Sequence, residues 1–204
     1  ILARDLSALY PNATFVADVK STGLFASDPV LRRNGAKADY WKTGHSHMKR
    51  RVKQLGALAG FEKSGHYFFA EPVGRGYDCG LRVAVEICKL MDRNPSMSMS
   101  DLRRALPQTW ATPTMSPYCA DTEKYSVHNR IVARLVAMQE AGETVAGRPI
   151  AEVVTVNGAR VILDNGSWGL VRASSNTPNL VVVCESGESE AEMRAIFADI
   201  DAVI

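Results

Sequence analysis

One short segment of the sequence, Glu62-Lys-Ser-Gly-His66, places a carboxylate, a hydroxyl and an imidazole within five residues. Glu62 could accept hydrogen bonds from vicinal hydroxyls, Ser64 could donate or accept one, and His66 could move a proton near neutral pH. Sugars need this mixture of donors and acceptors, so the segment indicates a sugar-binding loop. The alternative is a polar loop that only caps the strand after it.

A second segment, Arg172-Ala-Ser-Ser-Asn-Thr-Pro178, combines a guanidinium with hydroxyl and amide side chains. Such a turn suits a phosphate dianion, because backbone N–H groups and charge-assisted hydrogen bonds converge there. Each charge-assisted bond contributes about 1.5–3 kcal/mol. A plain polar turn is the alternative. The residues that could bind phosphate are Arg172, Ser174, Ser175, Asn176 and Thr177.

Two further polar segments follow predicted strands. Lys20 comes after an apolar run, at the carboxyl end of a strand where ligands of open α/β sheets bind. A solvated turn lysine is the alternative. His45 and His47 lie in the second segment, and histidines two positions apart point in different directions on a helix. That spacing argues against a shared metal, and we predict no metal site in this chain.

The overall composition excludes several classes of protein. Lys and Arg number 24 against 22 Asp and Glu, which gives a net charge of +2 with both signs mixed along the chain. Nucleic-acid binders usually carry a basic excess, so we predict that the basic segment Lys49–Lys53 is a solvated helix face and that nucleic acid is not a partner. The 46% apolar content excludes disorder. No apolar run reaches the ~18–20 residues that span a bilayer, so we predict no membrane partner.

The ends and the cysteines lead to two further expectations. The four cysteines show no C-x-x-C spacing, which favours buried free thiols in a reducing compartment, so we predict a cytoplasmic protein. The first residues, Ile1–Asp5, mix charged and apolar side chains, unlike a signal peptide. Because the chain starts without Met and without a polar lead-in, we expect a piece of a longer protein.

The elements that must position these segments alternate between strand and helix in the first half of the chain. Short apolar runs predict strands at Thr14–Val19, Ala38–Trp41, Ala57–Phe61 and His66–Ala70, and a basic helix at Ser46–Leu55. This alternation predicts an α/β fold, with a mostly parallel sheet and helices on both faces.

A strongly amphipathic helix is predicted next, between Leu81 and Met91. Its apolar residues occupy positions 81, 84, 85, 88 and 91, which we expect to face the core. The opposite stripe is polar and consists of Arg82, Glu86, Lys89 and Arg93. A capping box at Ser98 and Asp101 predicts a short helix that stops at Pro107, where we place the domain boundary.

The second half predicts an antiparallel sheet with helices on one face, an α+β domain. A helix with Ile131 on its apolar side should begin after a cap at Asp121. The run Val153–Leu163 contains Asn157-Gly158, the preferred dipeptide of a type I′ hairpin. Further strands are predicted at Trp168–Arg172 and Leu180–Val183, and a capping box at Ser189 and Glu192 precedes a last helix.

Taken together, these segments resemble the motifs of the α-D-phosphohexomutases, and among them the bacterial phosphomannomutase/phosphoglucomutase group. The similar segments occur in the family's order and span nearly the whole chain. They are Asp18-Val-Lys20, Lys42-Thr-Gly-His45, Glu62-Lys-Ser-Gly-His66 and Arg172-Ala-Ser174. The resemblance implies the last two of four domains: an α/β domain 3 at residues 1–106 with the sugar-recognition loop, and a smaller α+β, TATA-box-binding-protein-like domain 4 at 107–204 with the phosphate loop.

The resemblance also implies a reaction and residue roles. Family members interconvert hexose 1-phosphates and 6-phosphates through a bisphosphorylated sugar, glucose or mannose 1,6-bisphosphate. Glu62 and Ser64 would hold sugar hydroxyls, and Lys20, His45 and His66 would surround the substrate, with His66 the better candidate for proton transfer. The loop that contains Arg172 would bind the phosphate that is not being transferred.

Two essentials of the family lie in its first two domains. These are the loop with the phosphoserine and the D-x-D-x-D loop that binds Mg²⁺. Ser46 is not assigned as the phosphoserine, because its segment matches the motif of the third domain. The resemblance therefore implies hexose phosphates and the missing domains 1 and 2 as partners, and an inactive isolated fragment. Within the loops, Phe61 stands where a Gly is frequent, and Ser175 and Asn176 stand where Asn and Thr are usual. A phosphoglucosamine mutase fragment or a non-catalytic sugar-phosphate binding module are the alternatives.

Overall fold

The computed structural model describes residues 1–204, which form two compact units, Ile1–Pro107 and Gln108–Ile204. Each unit has its own sheet. None of the helices combines the length and the apolar character that crossing a bilayer would require.

The first unit contains a four-stranded sheet in the order β2-β1-β3-β4. Strand β1 pairs in parallel with β2 and β3, whereas β4 runs antiparallel to β3 at the edge. The mostly parallel sheet predicted from the alternation is thus confirmed, with one antiparallel edge strand. Its elements are α1 (Leu2–Leu9), β1 (Thr14–Asp18), α2 (Leu24–Ser27), α3 (Pro29–Arg33), β2 (Lys37–Trp41), α4 (His45–Leu55), β3 (Ala59–Phe61), β4 (Tyr67–Phe69), α5 (Gly80–Arg93) and α6 (Met99–Arg104).

Helices cover both faces of this sheet, as predicted. On one face, Leu6 of α1 and Leu31 of α3 pack with Phe15 and Phe61. On the other face, α4 contributes Met48 to a smaller cluster with strand residues. Because alternate residues of a strand point to opposite faces, the apolar residues of β1 supply both clusters, Phe15 one and Val16 the other.

Helix α5 is turned relative to its predicted orientation. Leu81 and Val85, expected in the core, are 77% and 39% exposed, whereas Leu90 is buried and Val83 packs against the core. Glu86, expected on the polar face, is buried. The prediction was wrong because α5 carries two apolar stripes, and tertiary packing selects the one containing Val83 and Leu90.

Two ion pairs make the burial of Glu86 possible. Its Oε1 lies 2.8 Å from Arg82 Nη2 and 3.1 Å from Lys89 Nζ. A buried carboxylate is tolerated when it is paired in this way.

The cysteines also depart from expectation. All of them are free thiols, as predicted, but Cys79 and Cys88 are exposed and only Cys184 is buried. Cys88 belongs to the stripe of α5 that faces away from the core, which explains its exposure.

The second unit is an antiparallel sheet in the order β5-β10-β9-β8-β7-β6, as the turns and strand runs predicted. Its core joins Leu135 of α7 and Ile196 of α8 to sheet residues such as Val161 and Val182. Its elements are β5 (Trp110–Ala111), α7 (Lys124–Glu140), β6 (Thr144–Val145), β7 (Arg148–Val154), β8 (Ala159–Leu163), β9 (Trp168–Ala173), β10 (Leu180–Ser186) and α8 (Glu190–Asp201).

The helix starts of this unit only partly follow the prediction. The N-cap of α7 is Glu123 and not Asp121, whose carboxylate pairs with Lys124 instead. At α8, Ser189 accepts a hydrogen bond from Glu192 N at 3.1 Å, which is half of the predicted capping box. The Glu192 side chain turns away from the cap, toward the sheet.

The Glu192 carboxylate joins α8 to three strands of the sheet. It accepts hydrogen bonds from Ser167, directly before β9, from Ser186, the last residue of β10, and from Arg148 at the start of β7. Burial by itself would raise the pKa of Glu192, but these hydrogen bonds and one from Asn165 outweigh it, so the pKa is lowered. The helix is therefore fixed to the sheet by a carboxylate that stays ionised.

The β7–β8 hairpin exists, but its turn is not type I′. Strand β7 ends at Val154 and β8 begins at Ala159, so residues 155–158 connect the strands. A type I′ turn needs positive φ at both central residues, whereas here Gly158 (φ +96°) has positive φ and Asn157 does not. A Cβ on Gly158 would lie 2.2 Å from Val171 O and 2.8 Å from Arg172 Cα. The hairpin thus packs directly against the end of β9.

We predict that Gly158→Ala destabilises the second unit more than Gly166→Ala does. Both glycines have positive φ, but a Cβ on Gly166 meets no atom within 4 Å. Gly166→Ala should cost about 1–2 kcal/mol from backbone conformation alone. Gly158→Ala should cost a further ~1–3 kcal/mol from overpacking against β9. Urea unfolding followed by tryptophan fluorescence measures both, and equal losses would contradict the close packing.

Candidate functional site

The predicted sugar-binding residues of the first unit gather at one edge of its sheet. Strands β1, β2 and β3 are parallel, so their carboxyl ends meet there, and β4 begins at the same edge because it runs antiparallel to β3. Lys20 follows β1 and His45 follows β2. The loop 62–66 connects β3 to β4 and contains Glu62, Ser64 and His66.

The Asp18 carboxylate, at the end of β1, holds the three loops of this edge together. It is completely buried. Its Oδ1 accepts hydrogen bonds from Ser21 Oγ at 2.6 Å and from Lys63 N at 3.2 Å. Its Oδ2 accepts one from Thr43 Oγ1 at 2.9 Å and lies 3.5 Å from Lys20 Nζ. One carboxylate thus contacts the loops after β1, β2 and β3.

Glu62 makes a second connection between two of these loops. The residue is buried, with 4% of its surface exposed. Its Oε1 accepts a hydrogen bond from Gly44 N at 2.6 Å, and Ser64 Oγ donates to Oε2 at 3.4 Å. Gly44 has φ +120° and ψ +139°, a backbone conformation accessible to glycine, and α4 begins directly after it. Glu62 therefore fixes the start of α4, where His45 lies.

His45 and His66 converge on a third residue, Asp78, which precedes α5. His66 Nδ1 lies 2.7 Å from Asp78 Oδ2, and His45 Nε2 lies 3.4 Å from the same oxygen. The imidazole rings meet edge to face with centroids 4.6 Å apart. Asp78 is tied to the sheet by a β-bridge to Phe68 of β4. His45 and His66 side chains are about half exposed, at 47% and 46%, so this group faces solvent.

Three of the residues that build this edge were missed as site residues by sequence reasoning. Asp18 lies in the Asp18-Val-Lys20 motif, but only the lysine was assigned a role. Thr43 lies in the segment that contains His45, and only the histidine of that segment was assigned a role. Asp78 follows a glycine-rich stretch, and nothing in the sequence signals that it meets His66, 12 positions earlier. A carboxylate near the carboxyl end of a predicted, otherwise apolar strand would have been a usable signal for Asp18.

In the second unit, the predicted phosphate-binding residues lie in one loop between β9 and β10. Arg172 and Ser174 are buried, whereas residues 175–178 are exposed. Arg172 Nη2 donates to Ser175 Oγ at 3.3 Å. Ser174 Oγ accepts hydrogen bonds from the N–H groups of Asn176 and Thr177, both at 3.3 Å. A buried hydroxyl thus shapes an exposed polar loop.

Lys124, at the start of α7, supports the same loop and was also missed. Its side chain is 5% exposed, and its Nζ donates to Thr177 O at 3.0 Å. The ammonium group also lies 2.5 Å from Asp121 Oδ1. A second buried cation therefore lies next to the loop that carries Arg172.

The residues of this chain do not fit the Mg²⁺ that the family resemblance implies. The metal-ligating side chains that come together are His45, His66 and Asp78, with ligand atoms within 4.8 Å of one another. Mg²⁺ prefers oxygen ligands in an octahedron, and two of these three ligands are imidazoles.

We predict that Asp78→Asn changes the tautomer of His66. An ionised carboxylate only accepts hydrogen bonds, so Asp78 favours the tautomer protonated at Nδ1. An amide can donate or accept and removes this preference. Long-range ¹H–¹⁵N spectra should show Nδ1–H as the major form in the original chain and a mixed population in the variant.

His128 is the internal control for that experiment, because it belongs to the second unit and not to the unit that contains Asp78. Its ¹⁵N shifts should not change. An unchanged tautomer at His66 would show that Asp78 does not orient the ring.

Comparison with known proteins identifies the family. The model of the phosphoglucomutase/phosphomannomutase alpha/beta/alpha domain III matches residues 1–110, and that of the C-terminal domain matches residues 127–203. The phosphomannomutase/phosphoglucomutase of Pseudomonas putida is 35% identical over 196 residues, which cover 96% of this chain and 39% of that protein.

Two solved structures are similar to this chain. A phosphoglucomutase/phosphomannomutase family protein from Burkholderia thailandensis has a TM-score of 0.78 and 28% identity over 98% of this chain and 39% of its own. An N-acetylphosphoglucosamine mutase of Aspergillus fumigatus, solved with GlcNAc-6P and magnesium, shares the fold at 11% identity and a TM-score of 0.59, over 99% of this chain and 45% of its own. The chain spans about two fifths of the length of the P. putida relative. It belongs to the phosphoglucomutase/phosphomannomutase family, of which it contains domain III and the C-terminal domain.

Proposed function

We propose that this chain is the sugar-binding and phosphate-binding part of a phosphomannomutase/phosphoglucomutase. The whole protein would interconvert hexose 1-phosphate and hexose 6-phosphate through a bisphosphorylated sugar. The observation that carries the proposal is the meeting of Lys20, His45, Glu62, Ser64 and His66 at one sheet edge, held by the buried Asp18 carboxylate.

In this proposal the 62–66 loop binds the sugar hydroxyls. The Oε1 atom of Glu62 already accepts from Gly44 N, so Oε2 is the atom that would accept from a hydroxyl. The bond from Ser64 Oγ to Oε2 is long, at 3.4 Å, and a sugar hydroxyl could replace it at little cost. Glu62 would thus accept from one hydroxyl, while Ser64 would bond to its neighbour.

His66 would hold or move a proton at Nε2. Asp78 occupies Nδ1, so the other ring nitrogen is the one that can meet a substrate hydroxyl. Lys20 would add a positive charge that attracts an anionic ligand. Its side chain is 15% exposed, and its Nζ lies beside the Asp18 carboxylate, which holds it at this edge of the sheet. His45 would position the substrate from the start of α4.

The Arg172 loop would bind the phosphate that is not being transferred. Ser174 already bonds to backbone N–H groups of its own loop, so it would act by shaping the loop. Ser175, Asn176 and Thr177 are exposed and would contact the phosphate together with the Arg172 guanidinium. Lys124 would add a further positive charge beneath the loop.

Phosphoryl transfer itself would need groups that this proposal places in the rest of the protein. The resemblance puts the phosphoserine and the Mg²⁺ ligands in domains 1 and 2, and bound Mg²⁺ would neutralise phosphate charge there. This chain would orient the sugar and anchor its distal phosphate. Glucose or mannose 1,6-bisphosphate would be the intermediate, and the compartment would be the cytoplasm.

We predict that each of the two proposed loops of the isolated chain responds to glucose 1-phosphate. In a two-dimensional NMR titration, it should shift residues 62–66 and 172–177, whereas inorganic phosphate should shift only 172–177. Arg172→Ala should weaken phosphate binding by about 10–100-fold, because charge-assisted hydrogen bonds contribute about 1.5–3 kcal/mol each. Glucosamine 1-phosphate in the same titration tests the choice of sugar.

Arg194→Ala is the matched control, because Arg194 is exposed on α8 and pairs only with Glu190 in the same helix. It should bind phosphate as the original chain does. If the shifts persist in Arg172→Ala, or if no ligand shifts either loop, the proposed residue roles are wrong.

We further predict that the chain alone does not turn over substrate. A coupled assay with glucose 1-phosphate, glucose 1,6-bisphosphate and Mg²⁺ should give the rate of a blank, because no phosphoserine relay is present in these two domains. The P. putida relative in the same assay checks the coupling system. Turnover by the purified chain would place the transferring group within residues 1–204.

A further inference from the structure

Three side chains from separate segments of the first unit converge on one point. They are His45, the first residue of α4, His66, directly before β4, and Asp78, before α5. One ligand atom of each lies within 4.8 Å of the other two. Asp78 Oδ2 is the shared centre, 2.7 Å from His66 Nδ1 and 3.4 Å from His45 Nε2.

Phe68 of β4 holds this group in place. It is fully buried, it forms the β-bridge with Asp78, and its ring meets the His45 ring edge to face at 5.4 Å. Three potential ligands are therefore brought together by a rigid part of the core. A ligand that binds them does not need to order the backbone first, which lowers the cost of binding.

The ligand types select one class of ion. Two imidazoles and one carboxylate suit zinc and similar divalent transition metals, whereas Mg²⁺ and Ca²⁺ prefer oxygen. Bonds of about 2.0–2.1 Å to a tetrahedral ion place ligand atoms roughly 3.3 Å apart. The separation of 3.4 Å between His45 Nε2 and Asp78 Oδ2 already matches this geometry. The closer pair, His66 and Asp78, would separate by roughly 0.6 Å.

We propose that His45, His66 and Asp78 bind one divalent transition-metal ion of the zinc type. The ion bonds to His45 Nε2, His66 Nδ1 and one oxygen of Asp78, and its fourth position faces solvent. The proton on His66 Nδ1 passes to water when that nitrogen bonds the ion, and Nε2 of the same ring takes one proton from water, so the ring stays neutral and no net proton is released. The ion thus replaces the hydrogen bond between His66 and Asp78.

One consequence rests on the proposed function. When the ion is bound at Nδ1, His66 carries its hydrogen on Nε2. That nitrogen could then no longer accept a proton from a substrate hydroxyl. Zinc and sugar phosphate would then compete for the 62–66 loop. The metal site itself needs no sugar, so it can be tested separately.

The test is a calorimetric titration of the purified chain with ZnCl₂. We expect one equivalent to bind in the micromolar range. His45→Gln, His66→Gln and Asp78→Asn should each weaken binding at least about tenfold, since loss of one of three ligands is at least as costly as loss of an outer-shell partner. A ¹⁵N spectrum should show metal-induced shifts at His45 Nε2 and His66 Nδ1.

The chain offers matched controls. His47→Gln removes an exposed histidine two positions from His45, and His128→Gln removes one in the second unit, and both should leave zinc binding unchanged. Cys79→Ser tests the exposed thiol next to Asp78. Amide spectra of every variant check that it is folded, and substitution with Co²⁺ gives an independent readout from its visible absorption.

Several results would overturn the proposal. Binding that survives in all three ligand variants, or that is lost in Cys79→Ser or His47→Gln, would mean a different ligand set. An affinity no better than millimolar would mean no site. If zinc binds as predicted but glucose 1-phosphate never shifts the 62–66 loop, the metal site stands and the proposed sugar site fails.

Discussion

The first unit depends on one buried charge, the Asp18 carboxylate. A carboxylate without exposure to water is unfavourable unless its oxygens are bonded, and Asp18 meets this requirement with groups from the loops after β1, β2 and β3. The loops cannot separate without leaving that charge unpaired. Parallel strands bring the loops to the same edge, and Asp18 fixes their mutual positions. The proposed ligand-binding side chains are therefore positioned by a residue that does not itself face the ligand.

In the second unit, the loop between β9 and β10 is positioned by hydrogen bonds to a hydroxyl group and not by a buried carboxylate. Here the central group is a neutral hydroxyl, Ser174 Oγ, which accepts from two N–H groups of the loop and bonds to Thr177 Oγ1 at 2.9 Å. The cations Arg172 and Lys124 lie next to the loop and not at its centre. This difference fits the chemistry proposed for each unit, because a phosphate site needs positive charges beside it, whereas a sugar site needs fixed acceptors.

The sequence was sufficient for features that depend on local chemistry. Strand runs, the Ser98 capping box and the polar segments that meet at the sheet edge follow from short-range patterns. It was insufficient where tertiary packing decides between local alternatives. Helix α5 offers two apolar stripes, and only the packed core selects the one with Leu90. Asp78 joins the two histidines through a β-bridge between segments that no local pattern connects. Asp121 could cap a helix, but the ammonium group of Lys124 competes for its carboxylate.

The bond from Gly44 N to Glu62 has a consequence for how such a site can evolve. The start of α4 is fixed by a residue that has no side chain and that adopts φ +120°. A Cβ at position 44 would touch only the His47 ring, at 3.6 Å, so space does not restrict this position and backbone conformation does. The backbone conformation at position 44 therefore disfavours any residue other than glycine, whereas nearby residues that face solvent can be substituted without changing the backbone. Under the proposed function, ligand preference could change through side chains such as Ser64 and His45, while the backbone that carries them keeps its conformation.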